Sequence, residues 1–287
     1  PSGSWYKRVK TAIKILKKEA VPRIDGKKVI VPEIPRFLAI YADDLDATGH
    51  NLGINYGFSL AFNYQAWKKK LTRKLAYMDS GLGILVKALN DLEILDKTVI
   101  ILTSDHGMSH FQGDTSLPDV VETLDSLGYF VEVLTEGEKA SPGVDIVLFG
   151  GPLSLQFAFT WDITPFEYEE IINAFREKAY FGGCMTQEEL VEAGAHPNWS
   201  SLLIWAESPY HFNKTDVVLR IGGNHNSGDR TSRHVFMLIS GAGVRQDAVV
   251  DDPVDIIDIA PTISHLLGIR QPADSTGRIL SEAFSAY

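Results

Sequence analysis

A chain of 287 residues and 31.7 kDa, 45% hydrophobic and 22% charged, is long enough for a sizeable core and ordinary enough to exclude a disordered or fibrous protein. Its 27 Lys and Arg against 37 Asp and Glu give a net charge of −10, which argues against nucleic-acid binding by bulk charge. A single cysteine, Cys184, excludes a disulfide framework and a thiolate zinc finger, and the longest aliphatic runs, such as Thr98–Leu102, are far too short for a transmembrane segment.

The charge is uneven. Residues 1–37 hold ten Lys and Arg against three Asp and Glu, a net of +7. Within them Val9, Ala12, Ile13 and Leu16 recur at helical spacing. So short a stripe predicts a surface helix packed on the body rather than one lying on a membrane or other anionic surface. Phe37–Ala42 is an apolar run of strand length. Leu71, Leu75, Met78, Leu82, Leu85, Leu89 and Leu92 then mark one face of a long helix over 65–95, with a kink allowed at Gly81 and Gly83. Thr98–Thr103 reads as a strand buried on both faces. Strand, helix, strand in this order predicts a parallel α/β sheet.

Residues 115–222 read differently. Leu153, Leu155, Phe157, Phe159 and Trp161 alternate with smaller or polar residues, the mark of a half-buried strand. Thr164-Pro165-Phe166-Glu167 is a helix start with cap, proline and capping-box glutamate, and Thr186 and Glu189 repeat the spacing. The expectation is one α/β domain over 1–287 in which 115–222 contains a smaller α+β elaboration. The main sheet resumes at Val235–Ser240, and a helix over 256–267 is stopped by Gly268.

Three places combine carboxylate and imidazole after a strand or in a glycine-rich loop: Asp46 with His50, Asp105 with His106, and His225 behind Gly222-Gly223. Groups at the carboxyl ends of strands gather in open α/β sheets. Two carboxylates and three imidazoles with no thiolate suit Zn²⁺, Mn²⁺ or a similar divalent ion. Gly107, Gly222, Gly223 and Gly228 are expected to supply the backbone freedom these turns need. His234 is the alternative to His225. His110, His196, His211 and His265 have no partner pattern, and Cys184 reads as a plain buried thiol. Asn198-Trp199-Ser200 and Asn213-Lys214-Thr215 match the glycosylation sequon, a pattern common by chance.

The string Ile101–Met108, with Ser104-Asp105-His106-Gly107 at its centre, resembles the signature of the nucleotide pyrophosphatase/phosphodiesterase branch of the alkaline phosphatase superfamily. Asp46–Gly53 is similar to that branch's aspartate-to-histidine motif, and Asp258–Gly268 with Gly277–Leu280 resembles its terminal helix and tail. The resemblance implies an alkaline phosphatase-like three-layer α/β/α fold with a central, mostly parallel sheet. It also implies two divalent ions, zinc or manganese: one on Asp46, His50 and His225, the other on Asp105 and His106. A small phosphoester such as a nucleotide would be the substrate, hydrolysed at a phosphodiester or pyrophosphate bond. The family's first-strand aspartate and its Thr or Ser nucleophile loop have no counterpart before Phe37, so the amino-terminal part is expected to be missing and this chain alone to be inactive. Alternatives are a cofactor-independent phosphoglycerate mutase-like enzyme, a sulfatase, or a catalytically dead metal-binding homologue.

Overall fold

The computed structural model describes residues 4–51, 60–214 and 221–285. In chain order these begin with α1 (Trp5–Leu16), β1 (Ala20–Pro22), β2 (Lys28–Ile30), α2 (Asp44–Gly49) and the long α3 (Tyr64–Asp91). There follow β3 (Val99–Thr103), β4 (Ser109–Gln112), α4 (Leu117–Ser126), β5 (Val131–Val133), β6 (Ile146–Gly150) and β7 (Ser154–Phe159). Then come α5 (Pro165–Arg176), β8 (Phe181–Thr186), α6 (Gln187–Glu192) and β9 (Leu202–Ala206). The chain ends with β10 (Ile221–Asn224), the one-turn α7 (Arg230–Arg233), β11 (Met237–Gly241) and α8 (Ile259–Leu267). The elements fall into two compact units: Pro1–Leu45, Arg73–Asp105 and Phe236–Tyr287 make the first, and Asp46–Thr72 with His106–Val235 make the second.

In the first unit the basic helix α1 buries Trp5, Val9, Ala12 and Leu16 against Leu85 and Leu89 of α3, with Met78, Leu82 and Leu92 around them. This is the packed stripe expected from the spacing. A fully buried side chain of this kind contributes about 1.5–3 kcal/mol, so the stripe suffices to hold the helix while its lysines stay in water. Arg8 on the same helix pairs with Asp43 at 2.6 Å. α3 runs through Gly81 and Gly83 without interruption.

Two expectations for this unit need correction. Phe37–Ala42 makes no strand: Phe37, Ala39 and Tyr41 are exposed while Leu38, Ile40 and Ala42 pack on the α1–α3 cluster. The segment is extended and half-buried, a period of two that an all-apolar composition hides. β3, in turn, is half-buried along its length and pairs antiparallel with β11, from Met237↔Thr103 to Gly241↔Val99. The parallel rule joins consecutive strands of one sheet. With no ladder at Phe37–Ala42, β3 instead pairs with a strand far along the chain. α8 stops at Gly268 as expected, after a short 3₁₀ turn at Ile256–Asp258.

The second unit holds a five-stranded sheet in the order β5-β6-β7-β9-β8, parallel only between β5 and β6. The α/β class is as expected, and among the described strands the pairing is mixed rather than mostly parallel. Ile146 and Leu148 of β6, Leu155 and Phe157 of β7, and Leu202 and Ile204 of β9 face Val120 and Leu124 of α4 and Ile171 and Phe175 of α5. β7 buries Leu155 and Phe157 and leaves Gln156 and Ala158 half-exposed, the alternation read from the sequence. Both capping boxes form: Thr164 with Glu167 opens α5, and Thr186 with Glu189 opens α6. Apart from this sheet, β4 and β10 make a short antiparallel ladder from Ile221↔Gln112 to Asn224↔Ser109.

Candidate metal centre

Asp46 and His50 stand four residues apart at the end of α2, so their side chains point the same way. His50 Nε2 lies 3.2 Å from Asp46 Oδ1. On its other side His50 Nδ1 is 2.9 Å from the Gly223 carbonyl. A carbonyl can only accept, so Nδ1 keeps its proton and Nε2 is the nitrogen turned toward Asp46, the one that would present its lone pair to an ion once the ring is neutral; a metal-ligating histidine is usually oriented in this way.

The β4–β10 ladder brings two further imidazoles to the same carboxylate. Its last pair is Asn224↔Ser109, and His225 and His106 lie just beyond that end. Their rings stack with centroids 3.5 Å apart and planes 14° from parallel. His225 Nε2 is 3.7 Å and His106 Nε2 3.9 Å from Asp46 Oδ1. His106 Nδ1 is held 2.9 Å from the Gly107 carbonyl, which turns its Nε2 inward as well. The ligand-capable atoms of Asp46, His50 and His225 all lie within 4.8 Å of one another.

Asp46 Oδ1 is buried and has no hydrogen-bond partner. A carboxylate oxygen cut off from water, with imidazole nitrogens 3.2, 3.7 and 3.9 Å away, is an acceptor left open, and Asp46 with His50 and His225 forms the donor set a divalent ion takes. These residues therefore fit such an ion. The electrostatics agree: the contact with His50 holds the Asp46 carboxyl below its usual value against the opposing effect of burial, helped by attraction from His50, His225 and His106. Asp46 in turn raises His50.

The glycines act differently from what the sequence suggests. A Cβ on Gly107 would sit 1.9 Å from the Thr231 carbonyl oxygen, and one on Gly223 2.6 Å from Met108 Cγ. Both glycines supply room for a close approach, not freedom to turn. The loop carrying His225 is fixed from the other side, where Gly107 and Met108 donate backbone hydrogen bonds to Ser232 and Thr231. Ser109 Oγ, buried, donates to Asp229 Oδ2 at 2.5 Å, and Asp229 accepts from the Thr231 and Ser232 amides at the start of α7. Sequence reasoning passed over this network, although Asp229 followed by Thr231 and Ser232 carries a helix-cap signal.

The remaining histidines separate from the group. His234 is exposed at the end of α7. His211 is buried between the Gly113 carbonyl and the Asn213 amide, and His265 is exposed on α8. His110 packs against the rings of Tyr64 and Trp67, where burial lowers its pKa. Asp105 is exposed and closes the first unit just past β3. The Cys184 thiol is half-buried and its pKa is pushed up, mainly by burial. Thr215 of the second sequon, and Leu52 and Gly53 of the motif begun at Asp46, lie outside the described residues.

The mixed α/β architecture is alkaline phosphatase-like. Murine ectonucleotide pyrophosphatase/phosphodiesterase 5 shares that fold with a TM-score of 0.59 at 16% identity, over 99% of this chain and 65% of that one. The family model for type I phosphodiesterase/nucleotide pyrophosphatase matches residues 2–171, more than half of the chain, and the protein belongs to that family. This sets aside the mutase-like and sulfatase alternatives. Among curated relatives, alkaline phosphatase PafA of Elizabethkingia meningoseptica is 22% identical over 90% of this chain and 48% of its own length. Bis(5'-adenosyl)-triphosphatase enpp4 of Mus musculus is 24% identical over 82% of this chain and 44% of its own. The chain thus spans about half the length of the curated relatives it matches. No helix among the described residues is long and apolar enough to cross a membrane.

Proposed function

We propose that the protein is a metal-dependent hydrolase of phosphodiester or pyrophosphate bonds in a small, nucleotide-like substrate. The observation that carries the reading is Asp46 Oδ1, buried, unpartnered and faced by His50, His106 and His225. Asp46, His50 and His225 would hold one divalent ion, zinc or manganese, and Asp105 with His106 would hold a second. Such ions, when bound, polarise the phosphoryl group and activate a hydroxyl nucleophile. The chain's own contribution is orientation. The Gly223 and Gly107 carbonyls keep Nδ1 of His50 and His106 protonated, so that Nε2 is presented as a ligand in each. A nucleotide substrate is supported by the relatives' names and by a structure of an inactive murine ectonucleotide pyrophosphatase/phosphodiesterase 5 in complex with AMP.

The reading assigns no nucleophile to residues 1–287; a Ser or Thr outside them would serve. Hydrolysis of an activated aryl phosphodiester tests it on two proteins. The 287-residue chain should give at most trace turnover. A chain of the relatives' full length should exceed it by orders of magnitude, and should lose that activity when His225 is replaced. Full turnover by the 287-residue chain would contradict the assignment. Metal binding with no turnover in the longer chain would mark a catalytically dead homologue.

A further inference from the structure

We propose that Asn51 is a positioning residue that sets the separation of His50 and His225; the inference rests on the metal-binding reading of those two residues. Asn51 is completely buried and adopts a left-handed backbone, φ 55°, which asparagine tolerates better than most side chains. Its amide uses its whole hydrogen-bonding capacity. Nδ2 donates to the Ala61 carbonyl at 2.9 Å and to the Ile221 carbonyl at 3.1 Å. Oδ1 accepts from the Ala61 amide at 2.9 Å and from Lys70 Nζ at 3.0 Å.

The partners explain what these bonds do. Ile221 is the first residue of β10. Two residues on, Gly223 accepts the bond from His50 Nδ1, and the strand then delivers His225. Asn51 is next to His50 in the chain. One side chain therefore ties the backbone beside the first imidazole to the start of the strand that presents the second. Trp67 adds to the clamp by donating Nε1 to the Gly49 carbonyl at 2.7 Å, at the end of α2, and packs with Ala61 and Ile221. Among the described residues, the other hydrogen bond that ties this segment to β10 is the one from His50 Nδ1 to the Gly223 carbonyl. An outer group of this kind typically changes metal affinity by about 10–100-fold without touching the ion.

The experiment titrates the metal-free 287-residue chain with Co²⁺ alone, reading affinity by calorimetry and ligand geometry by the visible spectrum, at a temperature where every variant is folded. Asn51→Gly removes the amide without straining the left-handed backbone. It is expected to weaken binding at least about tenfold and to alter the spectrum. Ile204→Ala, in the distant core of the five-stranded sheet, is the comparison: it should lower the melting temperature yet leave affinity within about twofold. Should Asn51→Gly fail to fold, Asn51→Asp keeps both accepted bonds and replaces both donations with oxygen–oxygen contacts, and it too should bind more weakly despite its added negative charge. Unchanged or tighter binding in the folded Asn51 variant would overturn the positioning role. His225→Ala is run beside them: if it also leaves binding intact, the metal-site reading has failed instead.

Discussion

Two regions of the second unit follow opposite rules. The five-stranded sheet is built from fully buried side chains such as Phe157, Phe175, Ile171 and Leu202, with capping boxes closing its helices. The corner where α2 meets the β4–β10 ladder has little apolar core, essentially Ala61, Trp67 and Ile221. Among the described residues, the two buried side-chain atoms without a partner, Asp46 Oδ1 and His110 Nε2, both lie in that corner. The sheet is closed by apolar packing, whereas the corner gathers a carboxylate and three imidazoles around an acceptor that no hydrogen bond fills. That is the physical signature of a site.

The difference predicts how each region responds to change. The largest effect should come from the sheet: Phe157→Ala leaves a cavity in a closed core and should cost about 3–5 kcal/mol. Its chemical-denaturation midpoint should fall accordingly while metal affinity of the folded fraction stays unchanged. Next in size is the Ser109–Asp229 link, which borders the corner. Asp229→Ala removes the cap of α7 and an acceptor for buried Ser109, and should cost about 1–2 kcal/mol while also weakening metal binding. Thr164→Ala removes only the α5 cap, about 1 kcal/mol, and should leave metal binding alone. A metal effect from Thr164→Ala would erase the proposed separation.

The smallest effect is one of pH. Asp46 is lowered, so its contribution is present above the ordinary carboxylate range and is lost only as pH falls through its folded value. His50 is raised, so its contribution is complete below its usual value and is lost as pH rises through the folded value. In the metal-free chain the Asp46–His50 contribution should therefore shrink between about pH 6 and pH 8, read as a pH-dependent difference in melting temperature between the unaltered protein and His50→Gln; His110 and His211, lowered by burial, act in the opposite sense in both proteins. Adding a divalent ion should reverse that trend, because the imidazoles must be neutral to ligate. Thermal melts with and without metal at the two pH values check both signs.

Much of this was legible because it is local. The α1 stripe, the α3 periodicity, the β7 alternation and the Thr164 and Thr186 caps each lie within a few residues. So does the Asp46–His50 spacing, and the glycine-flanked His225 could be picked out by type. What escaped was pairing over distance. Nothing local in Thr98–Thr103 says that its partner is Met237–Gly241 in antiparallel register. Nothing in Phe37–Ala42 reveals that one side stays exposed. Gly107 and Gly223 were recognisable as special, but their reason lies in Thr231 and Met108, far along the chain. Asn51 gave no signal at all, since its four hydrogen bonds run to Ala61, Lys70 and Ile221.

Asp46, His50 and His225 are proposed to hold a divalent ion. Calorimetric titration of the metal-free chain with Zn²⁺ tests it most directly, comparing the unaltered protein with His225→Ala and His234→Ala, the two histidines the sequence left in competition. Saturable binding is expected, which His225→Ala abolishes or weakens by more than about tenfold, while His234→Ala leaves it unchanged. Equal losses in both variants, or no loss in His225→Ala, would contradict it.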